Sequence, residues 1–351
     1  MTGLEREVLE ALERRRRLKP KLRDELVNLA HGAGGKASHD LVQALFLAEL
    51  GNATGDAALL PGRLAVTTDA FVVKPLFFPG GDIGELAVNG TVNDLAMVGA
   101  RPLGLTASFV VEEGFPVGDL RRIAASMRRA ADVAAVSVVA GDTKVVERGK
   151  GDGVFVTTAG IGLVDEEVEL SPARVRPGDR VLVSGTLGDH GIAVMVARGG
   201  LELETDLESD TAPLNGLVEA LLAAAGTGVR WLRDPTRGGL ATSLNELALD
   251  AEAAVVLDEA ALPVRPAVAG ACEILGLDAL YVANEGKLVA VVAPEAADAA
   301  LAALRAHELG REAALVGEVR AAPGGMVFLE TAFGGSRVVD MLVGDPLPRI
   351  C

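Results

Sequence analysis

The stretch Ser171-Pro-Ala-Arg-Val-Arg-Pro-Gly-Asp179 divides the chain, because it is rich in residues that form turns. The run Arg180-Val-Leu-Val-Ser184 follows at once and has the apolar, β-branched character of a strand. The chain has 351 residues, which is more than one ordinary hydrophobic core accommodates. We therefore predict one domain at residues 29–168 and a second at residues 169–330.

Segments with strand and helix patterns alternate on both sides of this boundary. Before it, strand patterns occur at 64–68, 103–111, 136–140 and 154–161, and helix patterns at 82–97 and 117–135. After it, strand patterns occur at 180–184, 253–257 and 287–293, and helix patterns from Asp189 and at 213–225, 240–249 and 295–309. The pattern predicts an α+β fold of two α/β-type domains. Residues 1–28 are expected to form a helical extension, either solvated or docked on a partner, and residues 331–351 a flexible tail.

Composition excludes several classes of protein. A net charge of −16 makes nonspecific binding of nucleic acid improbable. The longest apolar runs are far too short for a membrane span, and the charged N-terminus has no apolar signal core. Only Cys272 and Cys351 are present, which argues against a disulfide framework and predicts a reducing, cytoplasmic location. Cys272 is expected to be an ordinary packed helix residue.

Four aspartates lie where a metal site would be expected. Asp69 and Asp142 follow predicted strands, Asp94 ends the segment Asn89-Gly-Thr-Val-Asn-Asp94, and Asp234 opens Asp234-Pro-Thr-Arg-Gly-Gly239. One such aspartate is often only a helix cap or turn residue. Several at strand ends favour a site for Mg²⁺, which prefers hard oxygen ligands and usually bridges phosphates.

Two glycine-rich segments are candidates for anion binding. His31-Gly-Ala-Gly-Gly-Lys36 is not a Walker loop, because Ala30 and Ala37 stand where that motif needs Gly and Ser or Thr. It is expected to be an amide-rich turn that leads into a helix. The segment from Asp234 to Gly239 is the stronger candidate. It combines a cap, a proline predicted at the first helical position, the cation Arg237 and two glycines.

The chain ends Gly344-Asp-Pro-Leu-Pro-Arg-Ile-Cys351. Its two prolines favour an extended arm that presents the sulfur of Cys351, although a frayed terminus is the alternative. From Ser336 this arm could reach at most ~50 Å. Lys144 and Glu285 are two further candidate residues, for which surface salt bridges are the alternative.

The motifs together closely resemble the carbamoyl dehydratases of the HypE family, which make the cyanide ligands of [NiFe]-hydrogenase. The resemblance covers residue 29 to the last residue. It is carried by His31-Gly-Ala-Gly-Gly, Thr68-Asp-Ala-Phe-Val72, Asn89-Gly-Thr-Val-Asn-Asp94, Gly141-Asp-Thr-Lys-Val-Val-Glu147, Asp234-Pro-Thr-Arg-Gly-Gly239, Asn284-Glu-Gly286 and Pro348-Arg-Ile-Cys351.

The resemblance implies an ATP-binding fold shared with aminoimidazole ribonucleotide synthetase and selenophosphate synthetase. In that superfamily the N-terminal domains pair into a homodimer, with ATP near the interface. Magnesium and phosphates are then expected at Asp69, Asp94, Asp142 and Asp234. Nucleotide contacts are expected at Lys36, Asn89, Thr143 and Arg237.

The resemblance also implies the reaction and the partners. HypF loads a carbamoyl group onto the sulfur of Cys351, and a HypC–HypD assembly later accepts cyanide. Phosphorylation of the carbonyl oxygen by ATP makes it a good leaving group, so that thiocyanate forms. We expect Glu285 to be the base and Lys144 to orient the carbamoyl group.

Two other functions are compatible with these residues. A synthetase or kinase of the same superfamily would act on a free small molecule, and its turnover would not need Cys351. A non-catalytic scaffold for hydrogenase assembly would bind ATP without releasing phosphate from a carbamoylated chain. The coincidence of Cys351, Lys144 and Glu285 with the aspartates favours the dehydratase.

Overall fold

The computed structural model describes residues 22, 24–50, 56–199, 205–344, 347 and 349–351. The predicted helical extension at residues 1–28 lies almost wholly outside the described residues. The glycine-rich segment leads into helix α1 (Lys36–Leu41), which continues through a π-helical turn (Val42–Phe46) into α2 (Leu47–Leu50). None of the helices in the described ranges is long and apolar enough to cross a membrane.

The first sheet has five strands in the order β1-β2-β7-β5-β6, and β5 and β6 are its only parallel neighbours among the described residues. A two-stranded hairpin of β3 and β4 precedes the first long helix. The elements are β1 (Ala58–Leu60), β2 (Leu64–Phe71), β3 (Phe77–Phe78), β4 (Gly81–Asp82), α3 (Ile83–Met97), β5 (Ala100–Glu112), α4 (Val117–Val133), β6 (Val138–Val146) and β7 (Val154–Val164).

Helix α3 packs on one face of this sheet and is almost entirely buried. Asp82 caps its N-terminus by accepting hydrogen bonds from the amides of Gly84 and Glu85. The hydroxyl of Thr158 on β7 donates to the carbonyl oxygen of Ala87 at 3.1 Å. The opposite face of the sheet carries no helix from the described chain, and apolar side chains such as Ile161 lie exposed there.

The second sheet has seven strands in the order β14-β13-β10-β12-β8-β11-β9. Its core is dense in Val and Leu, as expected for strands buried on both faces. The elements are β8 (Arg180–Val183), α5 (Asp189–Ala197), α6 (Asn215–Ala225), β9 (Val229–Arg233), α7 (Gly239–Asp250), β10 (Ala254–Asp258), α8 (Pro266–Leu275), β11 (Val289–Val292), α9 (Ala297–Ala306), β12 (Ala314–Arg320), β13 (Met326–Glu330) and β14 (Ser336–Val339).

The structure contains strands β9, β12 and β13, which were not predicted from the sequence, and it also changes the bounds of two predicted strands and of the tail. Strand β2 runs through Asp69, and β6 runs through Asp142, so neither aspartate follows its strand. The reason is tertiary: residues 140–146 pair in parallel with 106–112 on β5, which overrides the turn-forming character of Gly141-Asp142. Part of the predicted tail, Ser336–Val339, pairs with β13 as β14, so the free segment begins after Val339.

Candidate active site

Three carboxylates from distant parts of the chain converge at the junction of the two sheets. Asp56 precedes β1, Asp94 lies on α3, and Asp234 directly follows β9. One oxygen from each lies within 4.8 Å of the others. Hard, anionic oxygen donors at this spacing are the ligand set that Mg²⁺ prefers, so these residues fit that ion.

Neighbouring side chains hold Asp56 and Asp94 in place. The hydroxyl of Thr67 on β2 lies 2.7 Å from Asp94 Oδ2 and 2.8 Å from the carbonyl oxygen of Asp56, and so links the two. Arg233, the last residue of β9, pairs with Asp56 at 2.8 Å and with Glu246 on α7 at 3.0 Å. The cluster is therefore held by the first sheet and by the second.

Burial and mutual repulsion make these carboxylates difficult to ionise without a cation. Burial raises the pKa of Asp56 to about 6, although the guanidinium of Arg233 opposes the change. Burial, with the charge of Asp56 adding to it, raises the pKa of Asp234 to about 8. The pKa of Asp94 also lies well above its ordinary value, because the group is buried and close to Asp234. A divalent cation would offset this repulsion.

The raised pKa values predict that the metal-free protein loses stability as the pH rises. Between the ordinary pKa near 3.8 and the folded values of about 6 and 8, the folded chain binds more protons than the unfolded chain. We therefore expect the Tm of chelator-treated protein to fall from pH 5 to pH 8. Mg²⁺ should raise the Tm more at pH 8 than at pH 6. Scanning calorimetry at several pH values tests this, and an Mg²⁺ effect independent of pH would contradict it.

Asp69 and Asp142 lie on opposite faces of the first sheet. Asp69 is opposite Thr158, on the face covered by α3, and burial raises its pKa. Asp142 lies three strands away, ~14 Å at the usual strand spacing, and is opposite Ser108 on the uncovered face. Asp69 contributes to the electrostatics of the buried carboxylates, whereas one chain alone does not bring Asp142 to them.

Lys144 and Thr143 lie beside Asp142 on β6, the strand at the edge of the first sheet. The ammonium of Lys144 binds the carboxylate of Asp142 at 2.7 Å, and both side chains are exposed. This hydrogen bond lowers the pKa of Asp142. The predicted contacts of Asp142, Thr143 and Lys144 with the reacting groups therefore remain predictions that need a second chain.

The two glycine-rich segments lie against each other. A Cβ atom on Gly34 would be 2.5 Å from the Cβ atom of Arg237, so only glycine permits this approach. The guanidinium of Arg237 donates to the carbonyl oxygen of Gly32 at 3.0 Å. Helix α7 begins only at Gly239, because Gly238 is left-handed with φ of 81°. The prediction of proline at the first helical position was therefore wrong, since a glycine turn separates Pro235 from the helix.

Two of the predicted nucleotide contacts, Lys36 and Asn89, differ in their environment. The ammonium of Lys36 is exposed and pairs with Asp40 at 2.8 Å. Asn89 on α3 is buried, and its amide nitrogen donates to Thr211 Oγ1 at 3.2 Å. Its Oδ1 atom has no hydrogen-bond partner within the described part of the chain. A buried amide oxygen of this kind is available to a polar ligand.

Hydrogen bonds to the main chain of Glu285 fix the position of this residue. Its amide donates to Asp210 Oδ1 at 3.0 Å, and its carbonyl oxygen accepts from Asn93 Nδ2 on α3 at 3.1 Å. Lys287 pairs with the other oxygen of Asp210 at 3.0 Å. Gly286 is required between them, because a Cβ atom there would be 1.7 Å from the carbonyl oxygen of Asp210. The motif Asn284-Glu-Gly-Lys287 thus fixes one buried carboxyl group.

The tail docks with Cys351 against this carboxyl group. The Cys351 thiol lies next to the carboxyl group of Glu285, and burial together with the interaction between the two raises the pKa of the thiol. The amide of Val72 donates to a terminal carboxylate oxygen of Cys351 at 3.0 Å, and the amide of Lys74 donates to the carbonyl oxygen of Arg349 at 3.1 Å, so the tail pairs antiparallel to the chain that leaves β2. Arg349 also forms an ion pair with Asp152.

Burial changes the acidity of both Glu285 and Cys351. It raises the pKa of Glu285 well above its ordinary value, with the charges of Asp234 and Asp69 adding to the effect and Arg237 opposing it. It also raises the pKa of the Cys351 thiol, so that the docked sulfur is uncharged near neutral pH. Glu285 Oε1 has no hydrogen-bond partner among the residues that the structure describes. The site therefore offers an available acceptor next to the sulfur.

Comparison with known proteins identifies the family. The model of the AIR synthase related protein N-terminal domain matches residues 54–164, and that of the C-terminal domain matches residues 176–330. The carbamoyl dehydratase HypE of Bradyrhizobium diazoefficiens is 56% identical over 337 residues, which cover 94% of this chain and 97% of that protein. The chain belongs to the HypE family. The HypE of Escherichia coli is 45% identical, and the alignment covers 93% of this chain and 99% of that protein.

Solved structures of the HypE family agree with this assignment. A HypE–HypF complex matches with a TM-score of 0.83 and 50% identity, covering 86% of this chain and 99% of that one. A HypE in complex with ATP matches with a TM-score of 0.80 and 48% identity, covering 93% of this chain and 100% of that one. The predicted resemblance, the two-domain α+β fold and the enzyme class are confirmed.

Sequence reasoning missed three residues at this candidate site. Asp56 completes the carboxylate cluster, Asp210 holds the backbone of Glu285, and His190 contacts the docked tail. None of them lies in a recognisable motif of the sequence. Asp56 precedes a strand, so the usual search for aspartates after strands passes over it.

Proposed function

We propose that this chain carries a carbamoyl group on the sulfur of Cys351 and dehydrates it to thiocyanate at the expense of ATP, for the maturation of [NiFe]-hydrogenase. The observation that carries this proposal is the docked, buried Cys351 thiol, which lies beside the buried carboxyl group of Glu285 and near Asp69. Family membership supports the activity, and a relative solved with ATP supports the nucleotide.

The reaction consists of two steps. The carbonyl oxygen of S–C(=O)–NH₂ attacks the γ-phosphorus of ATP, ADP leaves, and one nitrogen proton is lost. The nitrogen then loses its second proton while the carbon–oxygen bond breaks, which releases phosphate and leaves S–C≡N. A magnesium ion held by Asp56, Asp94 and Asp234 would neutralise phosphate charge. Tethering the group through sulfur removes its translational entropy, worth up to about 7–11 kcal/mol when the geometry is right.

Glu285 suits the role of the base. Its Oε1 atom is buried, without a partner among the described residues, and adjacent to the sulfur that would carry the carbamoyl nitrogen. Because burial lifts its pKa from the ordinary value of 4.5, its carboxylate accepts a proton more readily than an exposed one. Arg237 faces the same sulfur and carboxyl group and would bind an anionic phosphate.

One proposed partner loads the carbamoyl group onto Cys351, and another accepts the cyanide. A solved complex of a HypE with HypF supports HypF as the protein that carbamoylates Cys351. We propose a HypC–HypD assembly as the acceptor of cyanide. Both cysteines are free, which supports a reducing cytoplasmic setting for a chemistry that needs an unoxidised thiol.

We further propose that the first sheet pairs two chains into a homodimer. The uncovered face presents apolar side chains, with Ile161 47% and Val139 68% exposed, beside Asp142 and Lys144. A second chain on this face would bury these side chains and place Asp142 and Lys144 at the interface. That arrangement supports the predicted contribution of these residues to a shared site.

Substitution of Ile161 by glutamate should convert the dimer to a monomer. A charge at a position that is apolar and central on β7 would have to be buried in the interface, which is strongly unfavourable. Analytical ultracentrifugation measures the change. Val133→Glu is the control, because Val133 is 73% exposed at the end of α4, away from this face. Equal effects of the two substitutions would argue against the proposed interface.

Intact-mass spectrometry tests the proposed reaction directly. Protein loaded with carbamoyl is expected to lose the mass of one water molecule when Mg²⁺ and ATP are added, and Cys351→Ser should never acquire the carbamoyl group. Phosphate release that continues unchanged in Cys351→Ser would favour a kinase acting on a free small molecule. ATP binding without loss of water would favour a scaffold.

A further inference from the structure

His190 contacts the docked tail through a fixed hydrogen-bond network. It lies in the first turn of α5 and is fully buried, with its ring edge-on to Phe78 at a centroid distance of 5.6 Å. Its Nε2 atom is 3.0 Å from the carbonyl oxygen of Ile350, and its Nδ1 atom is 2.8 Å from Ser209 Oγ. Both ring nitrogens are therefore used.

The partners determine which nitrogen carries the proton. A carbonyl oxygen only accepts, so Nε2 must donate to Ile350. In a neutral ring Nδ1 then accepts, and the hydroxyl of Ser209 donates to it. Ser209 Oγ in turn accepts from the amide of Thr211 at 3.1 Å. This chain of bonds fixes one tautomer and one orientation of the ring.

The bonded carbonyl belongs to the residue just before the reactive sulfur. On the other side of the sulfur, a terminal carboxylate oxygen of Cys351 accepts from the amide of Val72 at 3.0 Å. With the carbonyl group of Ile350 and the carboxylate of Cys351 both fixed, the sulfur keeps only rotation about the Cα–Cβ bond of Cys351. A neighbouring helix thus determines where the sulfur lies relative to Glu285.

We propose that His190 is a positioning residue, which holds the Ile350 carbonyl through Nε2–H and thereby keeps the sulfur of Cys351 against Glu285. The proposal rests on the proposed function, because it assumes that the docked sulfur is the one that reacts. Burial lowers the pKa of His190, although Asp210 opposes the change, and this agrees with a neutral ring. Arg198, at the other end of α5, donates to the carbonyl oxygen of Arg349 at 3.0 Å, so the helix binds the tail at two points.

Two substitutions distinguish positioning from simple packing. In His190→Gln the side-chain amide can take the place of Nε2 and still donate to Ile350. In His190→Asn the amide lies near the position of Nδ1 and is too short to reach it. The two variants are equally polar, so a general effect of replacing the ring should appear in both.

The readout is the rate at which iodoacetamide modifies Cys351 in the full-length protein, followed by mass spectrometry of its peptide without ATP or carbamoyl donor. Loss of the hydrogen bond should raise this rate about tenfold in His190→Asn. His190→Gln should stay within about twofold of the parent. Cys272, buried in α8, is the internal control for unfolding.

The proposal is overturned if the Asn variant reacts no faster than the parent, or if both variants react equally fast. Modification of Cys272 in the Asn variant alone would also overturn it, because the effect would then be one of folding. The measurement involves no turnover, so it is independent of the proposed dehydration. Failure of the water-loss experiment with normal protection of Cys351 would refute the reaction and leave the role of His190 intact.

Discussion

Glu285→Gln is expected to lower the rate of dehydration by about 10²- to 10⁴-fold while carbamoyl loading of Cys351 continues. Glutamine keeps the size and hydrogen-bonding character of the side chain but cannot accept the proton from the carbamoyl nitrogen. The backbone contacts with Asp210 and Asn93 involve main-chain atoms, so the substitution leaves them in place. Intact-mass analysis should show loaded protein that does not lose water.

Glu273→Gln is the matched control, because Glu273 is an exposed glutamate on α8. It should load and dehydrate at the parental rate. Normal dehydration in Glu285→Gln would remove Glu285 from the role of base. Loss of carbamoyl loading in Glu285→Gln would instead show that Glu285 is needed when Cys351 reacts with the carbamoyl donor.

Asp94→Asn is expected to weaken Mg²⁺ binding by at least about 100-fold and to abolish ATP-dependent water loss at ordinary Mg²⁺ concentrations. Asparagine can still accept the hydrogen bond from Thr67, so the position of the side chain is retained. What disappears is one of the three carboxyl groups whose ligand atoms lie within 4.8 Å of each other, and with it a charge that would face the Mg²⁺ ion. Isothermal titration with Mg²⁺ in the presence of a non-hydrolysable ATP analogue measures the effect.

The same variant should be more stable than the parent when no metal is present. Removing one carboxylate relieves the repulsion that raises the pKa of Asp94 and Asp234. Asp298→Asn, at an exposed position on α9, should change neither the Mg²⁺ affinity nor the stability of the metal-free protein. Unchanged Mg²⁺ affinity in Asp94→Asn would place the ion elsewhere.

Residues whose roles depend on local chain geometry could be predicted from the sequence. Asp234 was found through the motif Asp234-Pro-Thr-Arg-Gly-Gly239, although strand β9, which it directly follows in the structure, was not predicted from the sequence. Glu285 was found through its motif, and the structure explains that motif through the close approach of Gly286 to Asp210.

Residues whose roles depend on long-range pairing could not be predicted in the same way. Gly141-Asp142 has the composition of a turn, yet pairing of residues 140–146 with β5 makes it part of a strand. Asp142 therefore faces away from α3, and the sequence contains no signal for that orientation. The predicted metal role of Asp142 stays a prediction, whereas Asp56 occupies the cluster instead.

The contact of His190 with the tail is a second long-range feature that could not be predicted from the sequence. It is one of four histidines, and it has no metal-ligand spacing with cysteine or with another histidine. Its partner, the carbonyl oxygen of Ile350, is 160 residues away. A backbone acceptor leaves no trace in the amino-acid sequence, so only the folded chain reveals the contact.

The buried, uncharged thiol of Cys351 has a consequence for the order of events in each cycle. Sulfur reacts as a thiolate, and burial suppresses ionisation as long as the tail is docked. Under the proposed function, the carbamoyl donor would have to reach the sulfur after the tail has left the cleft, and the loaded tail would have to return before ATP acts on the carbamoyl group. Conditions that hold the tail in place should then slow carbamoyl loading of Cys351 and favour its dehydration.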